Sequence, residues 1–274
     1  YTMAREIKPY EELELKDDFM FGLIMHDPKY VKPFLEMILK IKIRKVVYPQ
    51  SQKSIDLSAN AKAIRLDVYV EDDQNTVFNL EMQTSDNRNL PKRMRYYQGV
   101  IDLNILQKGQ DYTKLKKSYV IFICTFDPFG EGRHIYTFCN ICQENTALTL
   151  DDDAVKIILS TKGTMDDVSP EMKRILDYID GKGASDEYTK QLEEAVRSAR
   201  QNESWRLGYM TLEYEYRQRY EEGLKEGEET GIAKTNERSI RKLYKRGESI
   251  ASIAEFVELD EEAVKRIIKA MGLE

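Results

Sequence analysis

The period of hydrophobic and polar positions changes several times along the chain, and each change marks an element. Asp17-Asp18 precede the apolar run Phe19-Met20-Phe21-Gly22-Leu23-Ile24-Met25, and an aspartate ahead of such a run signals a helix N-terminus. Asp27-Pro28 opens a second helix, with Val31, Phe34, Leu35, Ile38 and Leu39 at helical spacing. Residues 41–48 alternate apolar with basic and predict a strand or extended edge, whereas residues 51–59 are polar and predict a loop. Two strands follow, Arg65-Leu66-Asp67-Val68-Tyr69-Val70 and Phe78-Asn79-Leu80-Glu81-Met82-Gln83, joined by a polar turn over residues 71–75. Residues 90–106 read as a helix with Pro91 at the favoured first turn and Met94, Tyr97, Ile101 and Ile105 near one face. Residues 118–126 are almost continuously apolar, the mark of a central strand covered on both faces. Short strands are predicted over 135–142 and 155–159. This order predicts an α/β fold with a mixed sheet flanked by helices.

Composition shifts near Gly181-Lys182-Gly183. The expected organisation is a catalytic domain over 1–180, a charged helical arm over 181–235 and a small helix-turn-helix-like module over 236–274. In the arm, Trp205, Tyr209, Leu212 and Tyr216 form one aromatic seam, and Gly223, Gly227 and Gly231 recur every four residues on one helix face. Such a face lets two backbones approach closely, so a homodimer through the C-terminal helices is one expectation. In the last module, Ile250, Ile253, Ala254 and Val257 face Val264, Ile267 and Ile268 across Glu258-Leu259-Asp260. Its second helix opens with Asp260-Glu261-Glu262, which suits the helix dipole but repels phosphates.

The 274 residues carry a net charge of -6 and are 41% hydrophobic, enough for one catalytic-sized domain plus an appendage. No apolar run approaches the roughly 18 to 20 residues that cross a bilayer. Three cysteines (Cys124, Cys139, Cys142) make no disulfide framework and point to a reducing, cytoplasmic setting. The acidic balance gives no overall electrostatic pull on nucleic acid, but local basic clusters such as Arg88, Lys92, Arg93 and Arg95 matter more than the total.

Those arginines directly follow the most informative pair of strands. Side chains alternate along a strand, so Glu81 and Gln83 share a face, and a hairpin brings Asp67 opposite Glu81. Two carboxylates, an amide and the Met82 carbonyl form an oxygen-rich set suited to a hard divalent cation. Metal-assisted phosphodiester hydrolysis uses such a set. In this reading Asp67, Glu81 and Met82 are metal ligands, and Gln83 completes the catalytic group by orienting water or phosphate. Carboxylates flanked by apolar neighbours at strand centres are costly unless paired or metal-bound, which separates this hairpin from an ordinary exposed one.

The pieces Lys16-Asp17-Asp18-Phe19-Met20-Phe21, Ile64-Arg65-Leu66-Asp67-Val68-Tyr69, Asn79-Leu80-Glu81-Met82-Gln83, Arg93-Met94-Arg95-Tyr96-Tyr97 and the run 119–126 closely resemble the Rpn-type recombination-promoting nucleases. These belong to the PD-(D/E)XK nuclease superfamily. The resemblance implies a restriction-endonuclease-like α/β fold with an α-helical C-terminal appendage. It also implies Mg²⁺-dependent DNA endonuclease activity, with Mn²⁺ as a second possible ion, and a link to recombination or mobile elements. Asp67 matches the metal-binding aspartate and Glu81 the second acidic position. Gln83 stands where the wider superfamily usually has lysine, so a dipole replaces a cation. Arg93 and Arg95, with Lys92 beside them, are the expected DNA-binding residues, and either arginine could supply the missing charge. Asp17, Asp18 and Glu36 are candidates for an extra acid. The alternative is a catalytically impaired DNA-binding or protein-interaction protein that keeps the fold.

His134, Cys139 and Cys142 suggest a zinc site by type, but a fourth ligand is not evident in the sequence. No Gly-rich phosphate loop is present.

Overall fold

A computed structural model describes residues 7–48 and 67–273, together with the backbone of two short strands at 54–55 and 64–65. The first helix, α1 (Asp18–Met25), begins after Asp17, but the Asp17 carboxylate does not cap it. It accepts instead from Lys8 Nζ and from the Glu14 backbone N–H, both at 2.7 Å, and so ties down the chain ahead of the helix. Asp27 does cap α2 (Pro28–Leu39), accepting from the Lys29 N–H at 2.8 Å.

A six-stranded sheet forms the centre. Its members are β1 (Val46–Val47), β4 (Val68–Asp72), β5 (Val77–Gln83), β6 (Ser118–Cys124), β7 (Ile135–Phe138) and β8 (Ala154–Ser160), in the order β1-β4-β5-β6-β8-β7. A separate antiparallel pair joins β2 (Ser54–Ile55) to β3 (Ile64–Arg65). β5, β6 and β8 run parallel, while β1, β4 and β7 are antiparallel to their neighbours. A parallel step needs a crossover, and α3 (Leu90–Ile105) supplies it between β5 and β6. β6 sits in the middle with residues 120–124 fully buried, as its unbroken apolar run predicts.

Two expected strands and one expected loop come out differently. The predicted strand over 65–70 is split: Ile64–Arg65 pairs with β2, and Asp67, expected at the head of its strand, stands at a bend just before β4. Of the extended stretch 41–48, only Val46–Val47 pairs. Within the loop expected at 51–59, Ser54–Ile55 forms β2, and the rest of that stretch lies outside the described residues.

Alternation along β5 gives the sheet two different faces. Val77 joins Val120, Phe122, Cys124 and Ile158 in a core closed by Leu90, Met94, Tyr97, Val100 and Ile101 of α3. Asn79, Glu81 and Gln83 follow Val77 along that same row. The opposite row, Phe78, Leu80 and Met82, is also buried, and α1 packs against β5.

The compact unit does not end at the expected residue 180. α4 (Pro170–Ile179) and α5 (Glu187–Arg200) join the N-terminal helices: Tyr10 Oη donates to the Ala199 carbonyl at 2.6 Å, Tyr188 Oη to the Tyr30 carbonyl at 2.6 Å, and Arg200 Nε to the Leu13 carbonyl at 2.7 Å. The amphipathic α5, with Leu192, Val196 and Ala199 buried, therefore belongs to the core rather than to an arm. The first unit covers residues 1–207 and the second 208–274. The long α6 (Glu203–Tyr244) runs into the second unit, where α7 (Ile250–Val257) and α8 (Glu261–Ala270) close a small core on Ile240. Ser249 and Asp260 cap these last two helices.

Candidate active site

The register Val68↔Leu80 fixes the site. One step back along β4 and forward along β5 puts Asp67 opposite Glu81. There the main-chain ladder gives way to a reciprocal pair of bonds. The Asp67 N–H donates to Glu81 Oε1 at 3.2 Å, and the Met82 N–H donates to Asp67 Oδ2 at 3.1 Å. A strand residue sends its N–H and C=O out of the same edge. Met82's carbonyl therefore leaves toward Asp67, where the metal-ligand reading needs it. α1 approaches from close by: a Cβ on Gly22 would stand 3.3 Å from the Asp67 carbonyl oxygen.

Glu81 is only 2% exposed. Burial, and then the nearby Asp67 carboxylate, push its pKa well above the usual carboxylate range, while Arg93 pulls the other way. Two acids this close cannot both ionise cheaply without a cation. Asn79 adds to the case. It is fully buried two residues before Glu81, and neither end of its carboxamide makes a well-formed hydrogen bond, yet its proximity favours the charged form of Glu81. A hard-oxygen set held this way fits a divalent cation.

Arg93 supplies positive charge from α3. Its Nη2 lies 3.8 Å from Glu81 Oε2 and donates to Tyr97 Oη at 3.0 Å, and its Nη1 donates to Gln83 Oε1. The guanidinium also stacks over Phe122 and Tyr97, 5.1 and 5.4 Å from the ring centroids. Gln83 donates its own Nε2 to the Ser85 carbonyl, so both ends of its amide are engaged.

The structure thus brings together Asp67, Glu81, Met82, Gln83 and Arg93. Lys92 and Arg95 are exposed on α3 and make no ion pair among the described residues. The candidate extra acids are used elsewhere. Asp17 holds Lys8, Asp18 accepts from the Phe19 N–H, and Glu36 accepts from the Ile43 N–H at 2.8 Å. The zinc trio does not assemble. His134 is buried with Nδ1 2.9 Å from Asp167, Cys139 is exposed beyond the end of β7, and Cys142 Sγ donates to Glu144. No cluster of three or more metal-ligating side chains occurs among the described residues. Sequence reasoning missed Asn79 and Gly22. The signal for Asn79 was its place in the same period-2 row as Glu81 and Gln83.

A mixed sheet with flanking helices defines an α/β protein, and buried Glu81 meets half-buried Asp67 at the end of a strand. A profile of the PD-(D/E)XK nuclease family transposases matches residues 16–226, well over half of the chain. The chain belongs to that family, and its mixed sheet with flanking helices is the restriction-endonuclease-like fold. No curated protein and no solved structure matches it. No helix among the described residues is long and apolar enough to cross a membrane.

Proposed function

We propose that the protein is a divalent-metal-dependent DNA endonuclease with Mg²⁺ or Mn²⁺ as its cofactor. The observation that carries this reading is the buried Glu81 facing the half-buried Asp67, with the Arg93 guanidinium beside them. A divalent ion supplies neutralisation of phosphate charge and a more acidic water. Asp67, Glu81 and the Met82 carbonyl hold it. Arg93 puts a fixed cation at the place of the superfamily's usual lysine, where a phosphate's growing charge needs stabilising. Gln83 keeps Arg93 aimed, with Tyr97 and Phe122 limiting its movement. Lys92 and Arg95 meet the DNA backbone from the exposed side of α3. The resemblance to Rpn-type nucleases extends the reading to recombination or mobile-element DNA in the cytoplasm. A homodimer through the C-terminal helices suits a double-strand cut.

The deciding experiment is cleavage of supercoiled plasmid with Mg²⁺ and with Mn²⁺, wild type beside Asp67→Ala and Glu81→Ala. Cleavage by wild type that disappears in both variants is the expected result. Equal cleavage by all three, or none by any, sinks the reading.

One observation favours the rival, a catalytically impaired DNA-binding protein: each end of Gln83's amide is already tied, to Arg93 and to the Ser85 carbonyl, which leaves one N–H and one lone pair for water. Metal titration separates the two. A functional site raises the melting temperature of wild type on adding Mg²⁺ or Mn²⁺, whereas an impaired one leaves it unchanged.

A further inference from the structure

Residues 238–246 carry five cations, Arg238, Arg241, Lys242, Lys245 and Arg246, and no acid. All five are exposed, and none forms an ion pair among the described residues. Their spacing is that of a single helix face, since positions three, four, seven and eight apart lie one above another. The opposite face is committed: Ile240 is fully buried, and Leu243 and Tyr244 pack beside it against the core formed by Ile253, Val257, Val264 and Ile268. The last turns of α6 thus have one side fixed by packing and the other covered with unneutralised positive charge. α8, the second helix of the helix-turn-helix-like pair, is different. It opens on Asp260, Glu261 and Glu262, and Lys265 is paired with Glu262 at 2.8 Å.

We propose that the terminal three-helix unit binds the phosphate backbone of duplex DNA through the end of α6, and not through α8. The proposal rests on DNA as the substrate class of the first unit. From Arg238 to Lys245, one residue past the end of α6, seven helical steps span about 10 Å. Laid along the duplex axis, that length covers about three phosphates of one strand at roughly 3.4 Å of axis each. A row of exposed, unpaired cations at this spacing binds by counterion release, without reading bases, so it adds affinity and salt dependence rather than sequence choice. Carried on the same chain as the catalytic unit, it raises the effective concentration of DNA there.

The test uses the full chain in chelator, so that binding is measured without cleavage. A fluorescent duplex of about three helical turns is titrated over a range of salt. Wild type is compared with the triple variant Arg241→Gln/Lys242→Gln/Lys245→Gln and with Lys265→Gln/Arg266→Gln/Lys269→Gln on α8. All six side chains are solvent-facing, and a melting curve for each variant confirms that the small core is intact. The α6 variant should bind about tenfold more weakly near 100 mM salt, and its log Kd against log salt slope should fall by about 2 to 3. The α8 variant should change neither. Equal effects from the two variants, or none from the α6 variant, overturn the proposal. So does an α6 variant that alters only self-association in sedimentation, because its partner is then another copy of the chain. If wild type fails to cut plasmid but the α6 effect persists, the nuclease reading falls and this one stands. If plasmid is cut and the α6 variant binds like wild type, only this one falls.

Discussion

β5 and α6 handle polar residues in opposite ways. All seven residues of β5 are buried, Asn79, Glu81 and Gln83 among them. α6 runs for 42 residues and buries only Tyr209 and Ile240. A buried charge must be compensated, so a single one, Glu81, points to a partner and a chemistry. An exposed charge costs almost nothing to keep, so only a group of them on one face, such as the cations of residues 238–246, carries information. The same residue types therefore argue for function one at a time in the first unit and only collectively in the second.

The sharpest test of that difference compares cations a few residues apart on α3. Arg93→Ala should lower the cleavage rate at saturating DNA by about 10² to 10³, the scale of losing one fixed charge aimed at a reacting centre. Lys92→Ala and Arg95→Ala should leave that rate alone and raise KM, most strongly at low salt. Arg93→Lys should recover only part of the loss, because lysine cannot bond Gln83 and Tyr97 together. Equal rate losses at all three positions would mean that Arg93 acts as one more surface cation.

Next in size is a glycine. A Cβ at Gly163 would fall into the His134 ring and within 2.6 Å of the His134 backbone nitrogen. His134 itself is held by Asp167. Gly163→Ala should therefore destabilise the first unit by about 3 kcal/mol, at the upper end for overpacking, as read from a denaturant midpoint. An unchanged midpoint would show that the β7–β8 end gives way easily.

Glu81→Gln tests the cost of the buried acid directly. Burial and Asp67 raise the Glu81 pKa well above its ordinary 4.5. Between that value and the raised one, the folded protein keeps a proton that the unfolded chain has lost. Stability therefore falls as pH rises through the window, and the penalty is complete above the folded value. An amide of the same shape avoids it. In chelator at pH 8, Glu81→Gln should be more stable than wild type by about 2 kcal/mol; at pH 4 the two should converge. Added Mg²⁺ should raise the melting temperature of wild type and not of the variant. A variant less stable than wild type in chelator would mean that Arg93 already compensates Glu81 fully.

Much of this was legible in the sequence, for reasons that also explain what was not. Asp67, Glu81 and Gln83 were readable because period-2 alternation places side chains without knowledge of the rest of the fold. α3 and β6 were readable because a helix-first proline and an unbroken apolar run are local signals. The break at Asp67 was not, because it arises where two carboxylates replace main-chain partners across the ladder. The bond that holds Gln83 was hidden for a similar reason: its partner Arg93 lies ten residues away on a helix whose rotation about its axis decides which arginine faces in. The boundary at 180 was misplaced because α5 has an amphipathic pattern that fits a free arm or a docked helix equally well. Only the bonds from Tyr10, Tyr188 and Arg200 separate these cases.

The smallest effect carries the comparison back to α6. A Cβ at Gly223, Gly227 or Gly231 meets nothing within 4 Å, in contrast to Gly163. In an exposed helix interior, glycine is less favourable than alanine by about 0.8 to 1 kcal/mol. If this face is free in solution, Gly227→Ala should stabilise α6 by about that amount, visible as increased helicity and a higher melting temperature for the second unit. The substitution that damages the first unit at Gly163 would then improve the second. If the face instead packs against the same helix of another copy, the added methyls hold the backbones apart. Gly223→Ala/Gly227→Ala would then lower the melting temperature and shift sedimentation toward monomer. The sign of this one change therefore decides between a free helix and a dimer seam, and it does so without reference to DNA, metal or cleavage.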